Sequence, residues 1–474
     1  MKKGIMCLGM ILFLCAVVFI AEAYGVLPGP NGDGSKIPEN DISHWAAPDT
    51  EYLEYYELGE FETNLPIVYL NTEGQYVSRE NKIWATVAVN EAEEDGALRS
   101  VMTEPDYEAA ILINYRGASS YNHFDKSQYR IKFMEEEGST DAMEHPFLGM
   151  GQHSEWVLHG PFLDKTLLRN RLVYHVGKEI FEWAPDCRYV ELFLDGDYMG
   201  VYLVTEPVTN GESRLRLSEF GLLSGETAYI VKRDRVNTEA NPLYVYGYYG
   251  GKTNNSLYIE YPTASHLTEA QGEWITQDID RFERVLYGEN FADPKLGYAN
   301  YIDMENFADY FILNEVFMNN DAGNLSTYIY KELGGTYKMA IWDYNNCNDN
   351  YQWFAQNYEE FFLIDNAWFS QLLKDRAFVD CVVERYALLR QGVLSEEYLW
   401  EQMECCQEEL GPAIERNFAV WGYTFYDDMV FGENELHYNP TNYEEATEQF
   451  QNSLHARFIF MDEHITDLYS GCVN

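Results

Sequence analysis

The sequence predicts an α+β protein, β-rich in its N-terminal part and helical in its C-terminal part. Two observations predict this. Between residues 65 and 232 apolar and polar residues alternate in short runs broken by turn residues, the period of half-buried strands. After Thr268 the apolar spacing lengthens to that of helices and stays so to about Leu468. The 474 residues, 46% hydrophobic and 16% aromatic, suffice for one large core or two ordinary ones.

In chain order, strands are expected at Leu65-Pro-Ile-Val-Tyr-Leu, Lys82-Ile-Trp-Ala-Thr-Val-Ala-Val, Glu108-Ala-Ala-Ile-Leu-Ile-Asn-Tyr-Arg and Gln128-Tyr-Arg-Ile-Lys-Phe. A helix is expected over 165–181, opened by Asp164 as N-cap. Tyr189-Val-Glu-Leu-Phe-Leu and Gly200-Val-Tyr-Leu-Val-Thr flank Asp195-Gly196, a strong hairpin turn signal. Thr227-Ala-Tyr-Ile-Val-Lys is a further strand. The stretch 234–267 reads as an irregular Tyr- and Asn-rich insertion, a candidate substrate loop. Asp303 is expected to cap a helix carrying Phe307, Tyr310, Phe311 and Asn314 at helical spacing. A second hairpin turns at Gly334-Gly335, and the chain from 351 to 470 reads as mostly helical. One domain is therefore expected over 61–470: β-rich at 61–233, the insertion, a helical segment with the candidate site at 268–350, and the helical remainder.

Before this domain, Lys2 and Lys3 precede an apolar run at 5–20, and Ala21-Glu22-Ala23 offers small residues for cleavage. Residues 1–23 have the form of a secretory signal, with an uncleaved anchor as the alternative. Residues 24–60 read as an acidic flexible spacer. An extracytoplasmic location follows, with membrane contact only through 5–20. Lys+Arg 32 against Asp+Glu 78 gives 32 − 78 = −46, a field that repels nucleic acid and anionic lipid and attracts cations. Six cysteines lie beyond the signal segment, with no C-x-x-C pair to suggest a zinc ribbon. Adjacent Cys405 and Cys406, on a helical pattern, point to different faces, so at most one is core.

The sequence has no H-E-x-x-H, G-x-S-x-G or Rossmann glycine fingerprint, and the protein-kinase strings H-R-D, D-F-G and A-P-E are also missing. Gly160-Pro-Phe-Leu-Asp-Lys-Thr is one residue short of a P-loop, and Asp164 would repel phosphate there. The informative constellation is Asn319-Asn-Asp321-Ala-Gly-Asn324, a hairpin, then Trp342-Asp343-Tyr-Asn345. The hairpin brings its ends together, so Asp321 and Asp343 should converge. Phosphoryl transfer uses one acid to orient or deprotonate the attacking hydroxyl and another to hold Mg²⁺ against phosphates. The competing reading is a turn residue and a capping residue.

Several ordered strings resemble the spore coat protein H (CotH) kinase family over about 65–468. They are Asn114-Tyr-Arg-Gly-Ala-Ser-Ser-Tyr, Phe124-Asp-Lys-Ser-Gln-Tyr-Arg-Ile-Lys-Phe, Trp156-Val-Leu-His-Gly-Pro-Phe-Leu-Asp-Lys-Thr-Leu-Leu-Arg-Asn, Tyr189-Val-Glu-Leu-Phe-Leu-Asp-Gly-Asp-Tyr-Met-Gly-Val-Tyr-Leu-Val-Thr-Glu and Asp309-Tyr-Phe-Ile-Leu-Asn-Glu, followed by the two aspartate segments. The resemblance implies an atypical protein-kinase-like fold that transfers phosphate from ATP, with Mg²⁺, to Ser or Thr of a secreted or coat protein. It implies Asp321 as the catalytic acid, Asp343 as metal ligand and Asn324 as a second one. It puts Arg116, Lys126 and Lys132 over the nucleotide phosphates, with Glu206 as partner to one of these cations. Asp164, Arg169 and Asn170 form a second polar cluster. Two departures bear on activity. The 119–126 segment has no glycine beyond Gly117, and Asn345 stands where the family pattern has a second acid, with Asp349 as the substitute. The rival readings are a non-catalytic surface or coat protein, binding a partner through its acidic face and the Tyr-rich stretch 243–261, and a carboxylate-based glycoside hydrolase.

Overall fold

The computed structural model describes residues 61–92, 96–117, 119–235, 242–252, 256–348, 350, 357–425 and 439–473. The expected signal segment, the spacer and Asp349 lie outside the described residues. Strands β1 (Glu62–Thr63), β2 (Ile67–Asn71), β3 (Ile83–Asn90), β4 (Arg99–Ser100) and β5 (Tyr107–Tyr115) are followed by a short helix, α1 (Ser119–His123). Then come β6 (Tyr129–Phe133), β7 (Glu155–His159), helix α2 (Arg169–Ile180), β8 (Cys187–Leu194) and β9 (Asp197–Thr205). Strands β2-β3-β5-β6-β7-β9-β8 close into a barrel, and β1 pairs with β4 beside it. Closure comes from parallel pairing of β2 with β8, Ile67 opposite Glu191 and Leu70 opposite Leu194. Closing removes the exposed edges an open sheet would carry. The barrel interior is apolar, with Val87, Ile111, Ile131, Trp156, Val190 and Val204 fully or almost fully buried.

The β8–β9 turn is the predicted one, with Asp195 at φ +51 and Gly196 at φ +96. The Asp195 carboxylate accepts from the Thr72 N–H and hydroxyl, both at 2.6 Å, tying the hairpin tip to the end of β2.

A second sheet has the order β11-β10-β12-β13, made of β10 (Tyr229–Asp234), β11 (Ser256–Tyr261), β12 (Thr327–Lys331) and β13 (Tyr337–Ala340). The stretch 234–267 is thus not irregular throughout: β11 adds an edge strand to β10, and helix α3 (Tyr246–Tyr249) precedes it. Helix α4 (Glu269–Leu286) opens with a capping box between Thr268 and Gln271. Helix α5 (Met304–Val316) is capped by Asp303, which accepts from Asn306 N as predicted. Phe307, Tyr310, Phe311 and Asn314 on α5 are all buried. The remainder is helical as expected: α6 (Phe369–Leu372), α7 (Arg376–Leu389), α8 (Glu396–Leu410), α9 (Ala413–Trp421) and α10 (Tyr443–His464). Cys406 is buried and Cys405 exposed, which divides the pair as its helical spacing requires. The α+β class holds, with the β-rich half first. Among the described residues no helix is long and apolar enough to cross a membrane.

One helix starts later than its sequence pattern suggests. α2 begins at Arg169, and its N-cap is Leu168, without a side-chain cap bond. Asp164 instead folds over the preceding turn. It accepts from the Thr166 hydroxyl at 2.6 Å, the Arg169 N–H at 2.9 Å and the Arg169 guanidinium at 2.7 Å. Leu167 has φ +64, which breaks the helical path before residue 169.

Candidate active site

Asp321 sits in the turn between α5 and β12. The turn is tied down from several sides. The Asn319 side chain accepts from Asp321 N at 3.3 Å, and the Asp321 carbonyl accepts from Leu325 N at 2.7 Å. Asn366 donates to Ala322 O at 2.7 Å, and buried Arg233, on β10, donates to Gly323 O at 3.2 Å. Gly323 has φ +77, a conformation that favours glycine, and an added Cβ would meet Asn366 at 2.8 Å. Asp343 lies just beyond β13, across the hairpin. Its backbone is left-handed at φ +67, which costs a non-glycine residue roughly 1–2 kcal/mol and has to be held by its surroundings. Its carboxylate accepts from Ser326 Oγ at 3.2 Å, and its N–H donates to Tyr174 Oη at 3.2 Å.

Across the hairpin the two carboxylates lie within electrostatic reach of each other. Burial pushes the Asp321 pKa up to about 6, and the negative charges of Asp343 and Asp234 push the same way, against Arg235. A buried carboxylate with a second negative charge near it makes a place where a cation is favourable. The donors here are hard oxygens, which suit Mg²⁺ rather than a softer metal. Among the described residues no group of three or more His, Cys, Asp or Glu forms a metal site. Mg²⁺ commonly takes one or two protein carboxylates and fills its shell with phosphate and water, so Asp321 and Asp343 fit that ion. Asn324 is fixed through its amide nitrogen, which donates to Asn366 Oδ1; a metal would take its Oδ1, an atom that bond does not use. Asn345 is half-buried, and its carbonyl accepts from the Asn350 side chain.

A set of cations lies around Trp342 and Tyr328. Arg116 lies 5.4 Å over the ring of Trp342, the residue before Asp343, and donates to Gln128 Oε1 at 2.9 Å. Trp342 meets Tyr328 edge to face at 6.1 Å. Burial raises the Tyr328 pKa, and Lys232, Arg130 and Arg116 pull it the other way, which places all three cations within electrostatic reach of that ring. Lys132 shares a face of β6 with Arg130 and pairs with Glu155 across to β7 at 3.5 Å. Glu155 is held below the usual carboxylate range: burial raises it, but Arg130, Lys82 and Lys132 together outweigh burial. Arg130 was not foreseen. Its Nε is buried without a hydrogen-bond partner. The alternation Arg130-Ile131-Lys132 was the available signal, since whatever places Lys132 outward places Arg130 there too.

Two groups expected at the nucleotide, the cation Lys126 and the cation partner Glu206, sit elsewhere. Lys126 is wholly buried, and its ammonium donates to Val201 O at 2.6 Å and Asn417 Oδ1 at 2.7 Å, between Tyr202 and Trp421. Burial lowers its pKa well below the usual value. It joins the barrel to α9. The reason sequence missed this is distance along the chain, because its partner residue lies on a helix near the far end. Glu206 is bonded to Arg214, Oε1 to Nη1 at 2.5 Å, and its other oxygen accepts from Asp186 N at 3.0 Å. It therefore pairs with Arg214 and not with Arg116, Lys126 or Lys132. His159, beside these groups, is buried, and burial with the charges of Arg116 and Lys126 pushes it down to about 3, so the ring is neutral. One test follows: Lys126→Met should leave Mg·ADP affinity unchanged in calorimetry, whereas a phosphate ligand would lose about 10-fold or more for one charge-assisted bond.

A search of curated proteins finds no match to this chain. A family model described as CotH kinase protein matches residues 113–461. The match begins just before the first motif string, at Asn114, and is narrower than the expected span of about 65–468, since β2 and β3 of the barrel precede it; it includes both aspartates, Arg116 and the cations of β6. It covers well over half of the sequence, and the chain belongs to the CotH kinase family.

Proposed function

We propose that the protein is an extracytoplasmic kinase-like phosphotransferase that moves the γ-phosphoryl group of ATP to a Ser or Thr hydroxyl of a secreted or coat protein. The observation that carries this reading is the pair Asp321 and Asp343, joined by electrostatic coupling, beside Trp342 and Tyr328, rings that Arg116, Arg130 and Lys232 reach. A triphosphate needs cations on one side, and an attacking hydroxyl needs a base on the other. In a chain of net charge −46, a cluster of cations has to be placed there deliberately.

In this reading Asp321 accepts the proton of the acceptor hydroxyl as its oxygen bonds to the γ-phosphorus. The bond to the β–γ bridging oxygen breaks, and ADP leaves with that electron pair. A carboxylate raised to about 6 is ionised at pH 7 and more basic than an ordinary aspartate, which suits a general base. Asp343 would hold Mg²⁺, which when bound would neutralise phosphate charge. Arg116, set by Trp342 and Gln128, and Arg130, set by β6, orient the phosphates. Arg233 keeps the Asp321 turn in place through Gly323 O.

The experiment is transfer of label from [γ-³²P]ATP to a Ser-rich acceptor protein. The reading expects Mg²⁺-dependent labelling of Ser or Thr that is lost in Asp343→Ala. Labelling that survives intact in that variant contradicts it. Mg·nucleotide binding without any transfer would instead favour the non-catalytic reading, in which Asn345 leaves the metal held too weakly for chemistry. Release of sugar without ATP would favour the hydrolase reading.

A further inference from the structure

One face of helix α2 meets the chain that leaves β13. Arg169, Asn170 and Tyr174 each bond the backbone of residues 343–348. Tyr174 Oη accepts from Asp343 N at 3.2 Å, and Asn170 Oδ1 accepts from Tyr344 N at 2.7 Å. Arg169 Nε donates to Cys347 O at 2.8 Å, and its Nη2 donates to Asn348 O at 2.9 Å. The third guanidinium nitrogen is held by Asp164 at 2.7 Å, with both side chains almost wholly buried. Gly177, two turns on, lets the helix approach closely, since an added Cβ would lie 2.3 Å from Ile341 Cδ1. The Tyr174 ring also stacks on Trp342, at 6.2 Å and 23°.

These contacts share a target. Each is made to the backbone of the segment that begins at Asp343, and none is made to the Asp343 carboxylate. Both Asp343 and Asn348 have left-handed backbones, φ +67 and φ +45, so the segment is bent at each end and needs external partners to stay bent. The planar guanidinium is suited to this, because its fixed fork reaches two carbonyls and a carboxylate at once. A carboxylate that is to meet a cation in one orientation needs such a supporting shell.

We propose that α2 is the positioning element of the metal carboxylate: Arg169, Asn170 and Tyr174 hold residues 343–348 so that Asp343 faces the phosphates, and Asp164 fixes Arg169 for that task. The inference rests on the phosphotransfer reading above. It turns the polar cluster Asp164, Arg169 and Asn170 from a helix-start feature into part of the site. It also makes the seating of α2 a determinant of metal affinity.

The test is the affinity of the full domain for Mn²⁺·ADP, read from free Mn²⁺ by electron paramagnetic resonance, with ADP binding in EDTA and thermal unfolding as controls. Asn170→Ala should weaken Mn²⁺·ADP binding by about 10–100-fold. Tyr174→Phe, which deletes only the hydroxyl, should weaken it by about 5-fold, the worth of one ordinary hydrogen bond. Asn170→Asp keeps an acceptor for Tyr344 N–H and should restore most of the affinity. Metal-free ADP binding should not change in any of them; a merely structural role would lower both affinities together. If Asn170→Ala fails to fold, Tyr174→Phe decides. Wild-type Mn²⁺·ADP affinity in the folded variants, alongside lost binding in Asp343→Ala, overturns the positioning role and leaves the phosphotransfer reading standing. Undiminished binding in Asp343→Ala overturns both.

Discussion

Asp321→Asn should lower phosphoryl transfer by about 10²–10⁴-fold, the usual worth of a general base, while making the folded protein more stable at pH 7. The stability gain follows from the sign of the pKa shift. The Asp321 carboxyl is raised from 3.8 to about 6 by burial and by Asp343 and Asp234. The folded state therefore binds a proton that the unfolded state has released between those values, and stability falls as pH rises from about 4 to about 6. Above that window the cost of the buried charge is complete, and below it there is none. The asparagine escapes this cost, by at most about 3 kcal/mol for a shift of this size and by less after water and counter-ions reach the site. Urea unfolding of both proteins at pH 7.5 and pH 4 checks it: the variant should be more stable at the higher pH only. In the wild-type enzyme kcat/KM should rise through an acidic limb near pH 6, since that ratio reports the free enzyme. A variant that loses stability equally at both pH values would show that Asp321 is an ordinary turn residue.

Arg130→Ala should weaken Mg·ATP binding by about 10–100-fold, as expected for loss of a charge-assisted bond to phosphate, and should do so without unfolding the barrel. Arg130 makes no hydrogen bond at its buried Nε, so its removal strands no acceptor of that atom. Arg116→Ala should have a comparable effect with an additional fall in kcat, because Arg116 also covers Trp342 beside Asp343. Isothermal titration of each variant measures the first effect, and steady-state kinetics the second. Unchanged affinity in the double variant Arg116→Ala/Arg130→Ala would remove this wall from the nucleotide site.

Much of this architecture is legible in the sequence because it is local. Strands with two-residue alternation such as β6, the Asp195-Gly196 turn, the Asp303 cap and the Thr268 helix start depend on neighbours within a few positions. Strand β7 is buried at Trp156 to His159 and so shows no period; β9 and β12 are buried as fully, but each adjoins a hairpin turn that marks it, and β7 does not. Strand β11 does have an apolar face, Leu257, Ile259 and Tyr261, but it is short and set in a Tyr- and Asn-rich run that reads as loop. Barrel closure through β2 and β8 is a long-range pairing that no window contains.

The site divides in the same way. Asp321 and Asp343 were legible because one hairpin joins them. The partners of Lys126 and Glu206 were not, because an isolated charge in a strand does not reveal which distant group will neutralise it. Lys126 finds Asn417, and Glu206 finds Arg214 rather than a lysine of the barrel. Asn324 donates to Asn366, from a segment that sequence gave no reason to bring near. The contribution of α2 was visible as three polar residues without a target, since the target is backbone, which carries no residue code.

The most direct measurement is calorimetric titration with a non-hydrolysable ATP analogue, with and without Mg²⁺, of the wild-type protein and of Asp343→Ala. The account predicts saturable binding by the wild type that requires Mg²⁺, and loss of the Mg²⁺-dependent part in the folded variant. No binding by the wild type under either condition, or equal Mg²⁺-dependent binding by the variant, would contradict it.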